Sequence, residues 1–156
     1  MRNREMLDRM YNAYNGVDVT YDEMVASARQ FIDQVFQCYS YHLDQPEKYK
    51  YFTIFCAWIA AVDGPVNMKE YEFFRKFSGL NVDYETFKRT GNEMYNNRKA
   101  WDEFKDLNKT KFRSGTMYDY TTHIIALCMC GCDGPLNSAE RSLLDNYIRH
   151  PDYNPL

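Results

Sequence analysis

One short pattern occurs twice in this chain, and it restricts the possible architecture more than any other feature. Asp63-Gly64-Pro65-Val66-Asn67 is followed by Glu70, and Asp133-Gly134-Pro135-Leu136-Asn137 by Glu140, at an offset of 70 residues (133 − 63). The flanks agree in character: Ile54 aligns with Ile124, Phe55 with Ile125, Ile59 with Met129, Phe73 with Leu143, Phe74 with Leu144, and Phe77 with Tyr147. These matches keep helical phase on both sides of the turn. The expected unit is an apolar helix, a tight turn and an amphipathic helix. One such pair leaves a face unburied, so two pairs packed together make a single core.

Most of the motif has a purely structural role. Gly64 and Gly134 suit the position just past a helix end, where a left-handed backbone is needed. Pro65 and Pro135 stop the first helix. Asn67 and Asn137 are N-caps, with Glu70 and Glu140 three residues on, where a carboxylate returns to the cap amide. Val66 can staple onto Tyr71. The aspartates do not fit this pattern. Asp63 and Asp133 sit at the C-terminal end of a helix, where a carboxylate is disfavoured by about 0.3–1 kcal/mol. Each therefore calls for a compensating partner, either a backbone amide of the following turn or a bound cation. An EF-hand register would place Ile59 and Ala61, or Met129 and Gly131, at the first and third loop positions; none carries a carboxylate. Any cation site must therefore be built differently.

Along the rest of the chain, helical periodicity recurs with recognisable starts and stops. Residues 2–15 read as a short N-terminal helix, peripheral to the remainder. Thr20, with Glu23 three residues later, opens a second helix running to about His42. Pro46 starts a third, apolar almost all round and therefore central. Ser78-Gly79 ends the fourth and Asp83 opens the fifth. A shorter helical piece around Trp101, Phe104 and Leu107 leads into an expected loop at Asn108-Lys109-Thr110-Lys111. Ser114-Gly115 precedes the second apolar helix, and His150-Pro151 ends the last. No stretch alternates in the manner of strands. The expected fold is all-α: a compact bundle of about seven helices in one domain over 1–156, with repeat units at approximately 47–78 and 117–149.

The 156 residues are 45% hydrophobic, enough for a core, and 17% aromatic, with 14 Tyr. Tyrosine at that level suits half-buried helix faces, the ring packed and the hydroxyl wet. A net charge of −3 gives no bulk attraction to nucleic acid. The stretch from Lys105 to Arg113 is locally basic, but Asp102, Glu103 and Asp106 dilute it. No apolar run reaches the length of a membrane span, and the charged start Met1-Arg2-Asn3-Arg4-Glu5 does not read as a signal peptide. The five cysteines, Cys38, Cys56, Cys128, Cys130 and Cys132, are odd in number and lack metal-site spacing. They are expected to be reduced, buried small residues, and the location cytoplasmic. His42, His123 and His150 are scattered; His123 is expected in or beside the core.

Ala60-Ala61-Val62-Asp63-Gly64 with Val66, Asn67 and Glu70, and Cys130-Gly131-Cys132-Asp133-Gly134 with Leu136, Asn137 and Glu140, resemble the tellurite-resistance TerB-like family. Its hallmark is an Asp-Gly turn with a Glu seven residues after the Asp on a compact helical fold. The resemblance covers roughly residues 47–150. It implies a cytoplasmic stress-response or interaction domain, with Asp63, Glu70, Asp133 and Glu140 as the residues of a divalent-cation site (calcium, magnesium, manganese or zinc). The chain departs from the pattern in the Pro after each Gly, the abundance of Tyr and the extra N-terminal stretch. Three functional classes follow. The leading one is a non-catalytic interaction domain with another protein as partner. The others are a metal-dependent hydrolase using the same carboxylates and a purely structural protein-binding module.

Overall fold

The computed structural model describes residues 20–40, 43–62, 64–110, 116–133 and 137–146. The expected N-terminal helix, Asp63, His42, the Gly134-Pro135-Leu136 segment and everything from Tyr147 onward lie outside these residues. The described chain is all-helical: α1 Tyr21–Tyr39, α2 Gln45–Ala60, α3 Met68–Ser78, α4 Tyr84–Asn96, α5 Arg98–Thr110, α6 Thr116–Gly131 and α7 Ser138–Asn146. No described helix is long and apolar enough to cross a membrane.

Local chemistry sets the helix ends. Thr20 Oγ1 accepts from the amide of Glu23 at 3.1 Å, Asp44 Oδ1 from Glu47 at 2.9 Å, and Asp83 Oδ1 from Thr86 at 2.7 Å. Each is an N-cap satisfying one of the amides a helix start leaves unpaired. The Thr86 amide also holds the Asp83 carboxyl below its ordinary range. Gly79 closes α3 in the left-handed conformation at φ 69°. Asn97 serves two helices, its amide donating to Glu93 O at the end of α4 and its side chain accepting from Ala100 N at the start of α5.

Two expectations need correction. Gly64 does have positive φ, at 139°, but it does not directly follow the helix. α2 ends at Ala60, and Ala61 and Val62 extend it through short-range bonds to Trp58 O and Ile59 O before the turn is reached. The expected loop at 108–111 is helical through Thr110. Asn, Lys and Thr are only mildly unfavourable inside a helix, and no Gly or Pro interrupts 98–110.

α2 and α6 form the centre. Every side chain from Phe55 to Ala61 and from Thr121 to Cys130 is buried, His123 among them. α1 packs most extensively on α6, and α4 on α2. Four of the aligned pairs are buried in both halves, Phe55 and Ile125, Ile59 and Met129, Phe73 and Leu143, Phe74 and Leu144, whereas Ile54 is only partly buried and its counterpart Ile124 fully so. Cys130 is as buried as Cys128, although the two fall on different faces, because α1, α2, α3 and α7 all pack against α6. The tyrosines behave differently from expectation. The hydroxyls of Tyr71, Tyr84 and Tyr95 donate to the backbone carbonyls of Val82 (2.6 Å), Val66 (3.0 Å) and Trp58 (3.2 Å). They pin loops and helix ends to the core rather than simply meeting water.

The free thiols of Cys56 and Cys128 are fully buried, and burial pushes both well above their ordinary value. In the unfolded chain a thiol ionises near about pH 8.5. Above that pH the unfolded state releases protons that the folded state retains. Stability should therefore be insensitive to these groups at neutral pH and fall above about pH 8.5, by about 1.4 kcal/mol per pH unit per thiol. Urea midpoints across this range, compared with those of Cys56→Ala, check the sign; an identical alkaline profile in the variant would contradict it.

Candidate functional site at the paired acidic turns

The site begins with two identical caps. In the first turn, Asn67 Oδ1 accepts from Glu70 N at 2.9 Å, and Glu70 Oε1 accepts from Asn67 N at 3.2 Å. In the second, Asn137 Oδ1 accepts from Glu140 N at 2.9 Å, and Glu140 Oε1 from Asn137 N at 3.1 Å. These are reciprocal capping boxes. They carry both glutamates inward: Glu70 is 2% exposed and Glu140 3%. A buried carboxylate is costly unless hydrogen-bonded, and each box supplies one such bond.

The two turns lie side by side. Asn67 Nδ2 donates to Asp133 Oδ2 at 3.1 Å, across 66 residues of chain. The cap requires the Asn67 oxygen to face Glu70 N, which leaves its NH2 group to reach the other turn. Both ends of one amide are thus used, one locally and one across the fold. Asp133, exposed at the C-terminal end of α6, receives from the opposite turn a hydrogen bond of the kind its position calls for. Asp63 lies outside the described residues.

Cys132 lies within this constellation. Its thiol donates to Met129 O at 3.2 Å. Burial pushes its acidity well down, and the negative charges of Asp133, Glu70 and Glu140 add to the effect. Carboxylates from both turns therefore act on one sulfur, which stays protonated and unreactive. Beside it, a cleft of 410 Å³ is lined by Tyr21, Lys69, Glu72, Cys132 and Asp133. Tyr21, at the start of α1, packs edge-on against Phe73 and carries Lys76 Nζ 5.2 Å from its ring centre. Its hydroxyl is held above the ordinary value by burial, then by Cys132, Glu72 and Asp22.

The structure thus brings Glu70, Asp133 and Glu140 around one thiol. Among the described residues, however, no three His, Cys, Asp or Glu side chains are arranged to hold an ion. Tyr21, Lys69, Glu72 and Cys132 join the expected acidic residues at this face. Lys69 and Glu72 flank Glu70 in the motif and were open to inspection, whereas Tyr21 arrives from a distant helix with no local signal. No family model matches the chain, and no curated protein or solved structure matches it.

Proposed function

We propose that this chain is a non-catalytic, TerB-like interaction domain of the cytoplasm, of the stress-response kind. Its working face is the pair of acidic turns, and its partner is another protein. In this reading a divalent cation held by Asp63, Glu70, Asp133 and Glu140 modulates that face. The observation that carries it is the Asn67–Asp133 hydrogen bond. Two copies of an acidic turn placed at opposite ends of a bundle could not share a ligand, whereas these are in contact. The donors are carboxylate oxygens, and the neighbouring Cys132 thiol is held protonated. That set suits the hard ions calcium, magnesium and manganese better than zinc.

Calorimetric titration with each of the four cations tests the reading. Calcium, magnesium or manganese should bind the native chain, and binding should be lost in Asp63→Asn combined with Asp133→Asn. Silence at millimolar metal, or unchanged affinity in the double variant, would sink the cation part. Capture of a protein by the native chain but not by Lys69→Glu with Glu72→Lys would support the interaction face; equal capture by both would remove it.

A further inference from the structure

Away from the turns, the molecule has a second and larger cleft. It measures 660 Å³ and lies between the first half of α2, the connector before α4, and the facing sides of α4 and α5. It shares no residue with the turn face. Its size falls within the range of small-molecule sites, which runs from about 300 to 1,000 Å³.

The packing around it gives the cleft firm walls. α2 and α4 touch closely at Gly91, where an added Cβ would meet Ala57 O at 2.5 Å. α5 is set against α2 by large rings, with Trp58 5.2 Å from Trp101 and 5.5 Å from Phe104, centre to centre. Ile54, Leu80, Met94 and Phe104 give the cleft an apolar lining. Three threonines also line it, but their hydroxyls are engaged: Thr53 donates to Tyr49 O, Thr86 to Asp83 Oδ2, and Thr90 to Thr86 O. They ask little of a ligand.

The charged lining groups are Glu93 on α4, Glu103 on α5 and Lys50 on α2. All three are exposed, and among the described residues none forms an ion pair. Two carboxylates against one ammonium leave the cleft negative, and Tyr49 and Tyr51 add aromatic rings to its lining, a feature that favours cations. Apolar walls with negative and aromatic lining groups complement one class of molecule.

We propose that this cleft binds a small amphipathic amine, with an apolar or aromatic body among Ile54, Leu80, Met94 and Phe104 and a protonated head toward Glu93 and Glu103. Lys50 opposes the head and sets the selectivity against more highly charged cations. An anionic amphiphile of the same shape is disfavoured by the two carboxylates.

The test uses the full chain with phenylbutylamine and its anionic counterpart phenylbutyrate, followed by methyl NMR. The amine should shift the methyl signals of Ile54, Leu80 and Met94. Glu93→Gln with Glu103→Gln should weaken it about tenfold, since each exposed ion pair contributes little by itself. Lys50→Gln should tighten it. These substitutions are at exposed positions, and circular dichroism verifies that each variant stays helical. Ala100→Trp, which fills the cleft, should abolish the shifts. The proposal is overturned if the amine shifts none of these methyls at millimolar concentration. It is equally overturned if the carboxamide variants bind it as tightly as the native chain, if phenylbutyrate binds as well as the amine, or if Ala100→Trp leaves the affinity unchanged.

Discussion

Phe74→Ala is expected to lower the stability of this chain by about 3–5 kcal/mol, the usual cost of deleting a buried aromatic ring. Phe74 has no exposed surface. Its ring lies 4.7 Å from Phe87 on α4, 6.1 Å from Phe77 and 6.3 Å from Phe52 on α2. One side chain therefore holds α3 against both α2 and α4. A domain of this size has only about 5–15 kcal/mol in total, so the variant stands at the edge of folding. Urea unfolding followed by circular dichroism measures the loss; a change below about 1 kcal/mol would mean that the aromatic cluster is not a closed core. The effect bears on the turn face as well. α3 presents Asn67 and Glu70, and loosening it should break the Asn67–Asp133 contact.

Gly91→Val is expected to cost about 3 kcal/mol, at the upper end of the range for overpacking a close contact. Inside a helix, replacing Gly by Ala ordinarily stabilises by about 0.8–1.0 kcal/mol. Here the sign should reverse even for Gly91→Ala. A Cβ at this position would lie 2.5 Å from Ala57 O and 3.2 Å from both Ala57 C and Ala61 Cβ. Two of those atoms are backbone, so the helices themselves must move apart. Thermal unfolding of Gly91→Ala and Gly91→Val checks this directly. A higher melting temperature for Gly91→Ala would show that α2 and α4 do not approach as closely as described.

These two predictions differ in how far the sequence foreshadows them. Phe74 lies on the apolar stripe of an amphipathic helix, so its burial follows from spacing. Gly91 carries no such mark, since a glycine inside a helical pattern looks the same whether it is a defect or a point of contact. The turn face divides in the same way. Asn67, Glu70, Asn137 and Glu140 were readable as capping boxes because both partners lie within three residues of each other. The requirement that Asp133 have a partner was also readable, since a carboxylate at a helix C-terminus is disfavoured by the helix alone. That the partner is Asn67 was not.

The amino-acid sequence by itself determined the all-helical class, the central place of α2, and the caps at Thr20, Asn67, Asp83 and Asn137. All of these rest on interactions within one or two helical turns, which residue spacing encodes. The tertiary structure alone decided that the two turns meet, that Tyr21 and Cys132 join them, that α4 crosses α2 at Gly91, and that a cleft opens between α2, α4 and α5. Periodicity shows which face of a helix is buried but not what buries it. The pairing of faces depends on how side-chain volumes fit across the core, and that is settled only when all the helices pack at once.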